Sequence, residues 1–198
     1  MSSRNNILGR IEKNKPALTA LPAIDINVVS SYEDILVKFS ATLKSIGGDV
    51  IEINSFDELK NIIVEKNNSG KLVVNTIHQL GDVDSRLILM PKEILNEVDT
   101  AIIKGEIAVA ENGAVWLYES QMVNRLLPFI CQHLILVIDK KNIVATMHQA
   151  YQQIDTGKEG FGVFVAGPSK TADIEQSLVI GAHGARSLTV YLVRDKII

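Results

Sequence analysis

Gly160 to Val193 reads GFGVFVAGPSKTADIEQSLVIGAHGARSLTVYLV, and this stretch decides the fold. Phe161 to Ala166 is a short run of aromatic and β-branched residues, the composition of a buried strand. Gly167 and Pro168 stop it. Ser169 and Thr171 then stand where helix N-caps are expected, with Asp173 and Glu175 in the first turn. Side chains of this kind accept from the free N–H groups there and complement the positive end of the helix dipole. Ile174, Leu178 and Val179 give that expected helix one apolar face. Gly181, His183 and Gly184 end it, and Leu188 to Val193 reads as a second buried strand. In open α/β sheets ligands sit at the carboxyl ends of strands, facing helix N-termini. Gly167 to Glu175 is therefore the first candidate site, although a capped helix after a strand is an ordinary feature of α/β proteins.

Outward from this stretch the same alternation continues. The spacing predicts helices over Ser31 to Ile46, capped by Ser30 or Ser31, and over Phe56 to Lys66, capped by Ser55. It predicts strands over Val50 to Ile53, Lys71 to Asn75, Leu87 to Leu89, Ala114 to Leu117 and His133 to Asp139. Pro91 to Val98 reads as a short helix or an irregular connection, Asn124 to Ile130 as a short helix, and Ile143 to Ile154 as a longer one. Strands alternating with helices argue for an α/β fold: an open, mostly parallel sheet with helices on both faces. Asn112-Gly113 is a tight-turn signal, since both residues tolerate positive φ. Residues 1–24 form a separate piece, an amphipathic helix with Ile7, Leu8 and Ile11 on one side and a linker marked by Pro16 and Pro22. Such a helix packs on a neighbouring subunit of a homo-oligomer or folds back on its own domain, residues 25–198; both readings stay open.

With 198 residues, 46% hydrophobic and 22% charged, the chain is large enough for one full core and too short for two large domains. A net charge of −3 gives no electrostatic reason to expect nucleic acid or an anionic membrane as partner. No apolar run is long enough to span a bilayer and no signal-peptide pattern opens the chain, so the expected location is the cytoplasm. Cys131, the one cysteine, excludes an internal disulfide and a cysteine-ligated iron–sulfur cluster within this chain. Its setting between Ile130 and Gln132 is that of a small buried hydrophobe. The four histidines, His78, His133, His148 and His183, make no pair at metal-ligand spacing, so no metal site is expected.

GPSKTADIE, followed by IGAHGAR and a final apolar strand, resembles the C-terminal signature of the LUD (lactate-utilisation) domain family. Gly167, Pro168, Ser169, Thr171, Ala172, Asp173, Ile174, Glu175, Gly181, His183, Gly184 and Arg186 match its pattern. Lys170 stands for an Arg and Ala185 for a Pro. Ala110, Glu111 and Gly113 match a second family segment, in which Asn112 and Ala114 replace two threonines. Arg125-Leu126, Leu127-Pro128 and His133 follow the family's order.

The resemblance implies a fold like those of ribose-5-phosphate isomerase, glucosamine-6-phosphate deaminase and the CoA transferases. It also implies a subunit that acts with iron–sulfur partner proteins in oxidising L-lactate to pyruvate, with no cofactor evident in this chain. The alternative is a stand-alone enzyme or binder of a phosphorylated or CoA-linked small acid. In either case Glu111, Asp173 and His183 are the candidate catalytic groups. Glu111 leads, because an acid beside an apolar strand has a raised pKa when buried. Asn112, Gly113, Gly167, Ser169, Lys170, Thr171, Glu175, Gly184, Arg186 and Arg125 are the candidate residues for binding a small anion, through hydroxyls, backbone N–H groups and cations.

Overall fold

The computed structural model describes residues 3–20, 22, 25, 32–81, 83, 91–172, 178–181 and 183–194. The chain begins with α1 (Ser3–Lys13), which buries none of its residues. The first helix of the folded body is α2 (Ile35–Ser45). It starts later than the spacing predicts. Asp34 is its N-cap and accepts from the Leu36 and Val37 N–H groups; Ser30 and Ser31 lie outside the described residues. Then come β1 (Asp49–Ile53), α3 (Asp57–Asn68), β2 (Leu72–Asn75) and α4 (Lys92–Leu95). The Ser55 hydroxyl does accept from the Asp57 N–H at the start of α3. The strand expected at Leu87 to Leu89 lies outside the described residues.

The second half supplies β3 (Val98–Lys104), β4 (Ile107–Val109), β5 (Ala114–Tyr118), α5 (Glu119–Met122), α6 (Leu127–Ile130) and β6 (His133–Asp139). It continues through β7 (Ile143–Val144), α7 (Met147–Gln153), β8 (Gly162–Val165), β9 (Lys170–Ala172), β10 (Leu178–Ile180) and β11 (Ser187–Val193). The helix expected from Ile143 begins only at Met147, because Ile143 and Val144 pair with β4.

Five strands form a parallel sheet in the order β1-β11-β6-β3-β2. The expected α/β class with a parallel sheet is what the chain builds. A four-stranded sheet, β7-β4-β5-β8, lies against it, and β9 and β10 form a separate antiparallel pair. The strand at Phe161 to Ala166 is real but belongs to this second sheet, as β8 antiparallel to β5.

The two-residue period of strands sorts the core into layers. Ile102, Ile135, Val137 and Tyr191 face Leu59 of α3 on one side of the parallel sheet. Ala101, Ile103, Leu134, Leu136 and Val190 face the other side. There they meet Phe39 and Leu43 of α2, Met122 of α5, Leu127 of α6, and Ala108, Val115 and Leu117 of the second sheet. The far face of the second sheet, with Ile107, Val109 and Trp116, packs on Ala150 of α7. No helix among the described residues is long and apolar enough to cross a membrane.

Candidate functional site

The predicted helix after Gly167 is absent where the structure describes it. Lys170, Thr171 and Ala172 run as β9, with Thr171 opposite Val179 and Lys170 opposite Ile180. Ser169 is not an N-cap. Its N–H donates to the Ala185 carbonyl at 2.8 Å and its carbonyl accepts from the Gly181 N–H at 2.9 Å. Those bonds tie the Gly-Pro-Ser turn to the glycine turn before β11. They also use the Ser169 N–H that the sequence reading had set aside for an anion. Asp173 and Glu175 lie outside the described residues.

The tie closes a crevice of about 320 Å³. Gly167, Pro168, Ser169 and Lys170 form one wall and His183, Gly184 and Ala185 the other. Pro128 and Phe129 of α6, Leu134 of β6, and Phe164 and Val165 of β8 supply an apolar lining. Lys170 and His183 are exposed at its rim, and Ser169 is half-buried. The crevice lies beyond the carboxyl end of β8, as the strand-end argument expects. It lies at the amino ends of β6 and β11, however, so the parallel sheet presents the edge opposite to the usual ligand edge.

Glycine is required at two places here. Gly167 has φ 71°, and a Cβ on it would sit 3.0 Å from the Ile46 carbonyl oxygen. A Cβ on Gly184 would sit 3.1 Å from the Ser169 Cβ and 3.3 Å from the Phe129 carbonyl oxygen. The crevice walls thus close on one another and on the end of α2 where glycine leaves room.

The Asn112-Gly113 turn forms as expected, joining β4 to β5. The Asn112 Oδ1 accepts from the Ala114 N–H at 3.0 Å, so its acceptor serves the turn. Gly113 packs over Leu43 and Ile46, and Ile46 also lies beneath Gly167. The two motif turns therefore meet over the end of α2. Glu111 does not join the crevice lining. It is exposed, not buried beside an apolar strand as expected. Its Oε1 accepts from the Met147 N–H at 2.7 Å, at the start of α7. Glu111→Ala is expected to cost about 1 kcal/mol in urea unfolding, the usual worth of a helix N-terminal acceptor. No loss would mean that Thr146 caps α7 alone.

The remaining cations are placed elsewhere. Arg125 makes a two-pronged bond to Glu119, at 2.6 and 2.9 Å, and lies over the Phe161 ring. This is the end of β5 and β8 away from Gly167, because Tyr118 pairs with Gly162 while Val115 pairs with Val165. Just before it, Val123 holds φ 62° in a tight turn closed by the Asn124 N–H on the Met122 carbonyl, a backbone region costly for a β-branched residue. Arg186 donates its N–H to the Gln132 carbonyl and lays its stem over Gly181, with its side chain exposed. Thr171 is also outside the crevice lining. His133 bonds Ser187 at 2.8 Å; burial, then Lys66, Arg186 and Lys71, lower its pKa. Cys131 is buried, and that burial pushes its thiol up to about 12. Among the described residues no group of three His, Cys, Asp or Glu is placed to hold a metal.

Sequence reading missed Phe129, Leu134 and Phe164. They looked like ordinary helix and strand hydrophobes, and no local signal separates a core residue from one lining a crevice. Gly47 was read only as a helix stop. A Cβ there would meet Pro168 and the Lys170 stem at ordinary contact distances of 3.5 to 3.8 Å, so it is the φ of 90° that favours glycine.

A family model described as the LUD domain matches residues 89–193, which include every residue lining the crevice. Lactate utilization protein C of an Exiguobacterium species is 25% identical over 224 residues, covering 98% of this chain and 97% of that one. Lactate utilization protein C of Shouchella clausii is 36% identical over 118 residues, covering 57% of this chain and 50% of the relative. The protein of that name from a Geobacillus species is 34% identical over 106 residues, covering 50% and 44%. The aligned region thus spans about half the length of the last two relatives. A crystal structure of a DUF162 family protein from Deinococcus radiodurans superposes with a TM-score of 0.62, over 80% of this chain and 96% of that one, at 20% identity. At that identity the likeness concerns the fold.

Proposed function

Since the chain belongs to the LUD domain family, we propose that it serves lactate utilisation as a subunit that holds the small acid while iron–sulfur partner proteins carry the electrons. The relatives named for lactate utilisation support the role. The observation that carries the binding reading is the crevice itself: a cation, a hydroxyl and an imidazole at the rim of an apolar hollow. A 2-hydroxy or 2-oxo acid has the matching parts. Its carboxylate pairs with Lys170, its second oxygen with the Ser169 hydroxyl, and its methyl group with Phe129 and Phe164. In this reading the O–H and Cα–H bonds of lactate break, His183 takes the hydroxyl proton, the Cα proton passes to water, and two electrons are released as pyruvate forms. Oxidation releases two electrons from the substrate, and a single buried cysteine does not fit a thiolate-held cluster. In this reading the iron–sulfur partner proteins accept those electrons.

Calorimetric titration of the full chain with L-lactate and pyruvate tests this. Saturable binding is expected, and Lys170→Ala should weaken it about tenfold or more, the worth of one charged hydrogen bond. Undiminished binding in that variant would place the acid elsewhere. A second reading, a stand-alone enzyme or binder of a phosphorylated or CoA-linked acid, draws on the volume. At about 320 Å³ the crevice holds a larger molecule than lactate. Purification from the native cell grown on lactate separates the two, because co-elution of cysteine-rich proteins with lactate-dependent dye reduction belongs only to the first.

A further inference from the structure

A second cavity, of about 70 Å³, lies at the other end of the parallel sheet. It is lined by Lys104 and Gly105, by Val137 to Asp139, by Lys141 and Asn142, and by Val193. These residues end β3, β6 and β11. Two adjacent parallel strands, β3 and β6, leave the sheet here and continue as β4 and β7, which pair in parallel in the second sheet. The cavity is the seam between the sheets. Leu134, in the crevice, and Asp139 are five residues apart on β6, roughly 16 Å of strand. The two hollows therefore lie at opposite ends of it.

We propose that this seam is an anion site for a single phosphate group, distinct from the crevice. Lys104 has no counter-ion among the described residues. Lys141 holds Asp139 at 2.6 Å, and neighbouring Lys140 pairs with Glu52. The lining thus holds two lysines and one aspartate, with only Lys141 on Asp139, and its formal charge is positive. Asn142 adds an amide donor. Among the described residues no guanidinium lines the cavity. The compact charge of lysine suits a small, multiply charged oxyanion such as phosphate. The small volume suits a single oxyanion, so a larger ligand enters by its phosphate end only. The position, outside the carboxyl ends of parallel strands, is where open α/β sheets take ligands. Gly105 is part of the design. A Cβ there would lie 2.5 Å from Val115 and 2.9 Å from Ile138, forcing the sheets apart at the seam.

The test is calorimetric titration of the full chain with inorganic phosphate at constant ionic strength, repeated with phenyl phosphate. One saturable site is expected. Lys104→Met should weaken it about tenfold or more, as loss of a charged bond does. Asp139→Asn should tighten it, by removing the competing acid and releasing Lys141. Phenyl phosphate binding with the same Lys104 dependence would identify a terminal phosphate on a larger molecule; binding of inorganic phosphate alone would identify the free ion. The proposal is overturned if phosphate does not bind, if folded Lys104→Met binds as well as wild type, or if Lys170→Ala removes the binding and so locates the ion in the crevice. Should Lys104→Met not fold, unchanged or weaker binding by Asp139→Asn overturns it instead.

Discussion

Gly167→Ala is expected to lower unfolding stability by about 3 kcal/mol, through left-handed backbone strain and overpacking together, and to abolish acid binding in the crevice. The residue holds φ 71° in the turn after β8, and its added Cβ would stand 3.0 Å from the Ile46 carbonyl oxygen and 3.2 Å from the Ile46 Cγ1. A left-handed conformation costs a non-glycine residue roughly 1–2 kcal/mol. The contact adds about 1–3 kcal/mol. Ile46 has little room to yield, since its N–H is bonded to the Thr42 and Leu43 carbonyls and its side chain also meets Gly113. The turn moves instead, and with it Ser169 and Lys170. Gly70→Ala separates the two contributions. That glycine has φ 72° with nothing near its Cβ position, so it reports the conformational cost alone. Denaturant unfolding of both variants is the measurement. Equal losses would show that the turn gives way at Ile46 without penalty.

Asp99→Asn is expected to cost roughly 2 kcal/mol near neutral pH, a cost that fades as the pH falls toward 2. Asp99, at the start of β3, is 9% exposed. Burial alone would raise its carboxyl. Bonds from Lys66 at 2.8 Å and Thr100 at 2.9 Å, with Lys71 at 3.4 Å, outweigh that and hold it at about 2. A carboxyl whose pKa is depressed on folding adds stability above its unfolded value near 4, and loses it as the pH drops through the folded value. Wild type should therefore weaken between about pH 4 and pH 2, while the variant, with no carboxyl at this position, lacks this contribution throughout. Urea unfolding at pH 7, 4 and 3 checks this, with a gap that narrows at the lower values. A constant gap would mean that the loss is in packing and hydrogen bonding, not charge.

Neither Asp99 nor its lysines carried a signal in the sequence. Lys66 lies in the last turn of α3 and Lys71 precedes β2, and only the pairing of β2 with β3 brings them to one carboxylate. Arg125 shows the reverse. The order of motifs suggested an anion partner, but Glu119, six residues away, holds its guanidinium at the far end of the second sheet.

By itself the sequence determined the existence and type of most elements and the places where the chain turns. Those are local properties. Runs such as His133 to Asp139 and Leu188 to Val193 are strands because of their β-branched, apolar composition. The chain turns at Gly113 and Gly167 because glycine accepts positive φ. The tertiary structure decided partnership. Lys170 to Ala172 carries good helix-start residues, but Ser169 is held from both sides by Ala185 and Gly181, and the segment pairs with Leu178 to Ile180. Those bonds join residues 6 to 16 positions apart, a wider span than a helical turn, and they override a local preference of a few tenths of a kcal/mol per residue. The division of the strands into two sheets, and the opening of a crevice at one end of β6 and a charged seam at the other, depend on which apolar faces bury each other. No window of sequence contains that information, because burial is a property of the assembled chain.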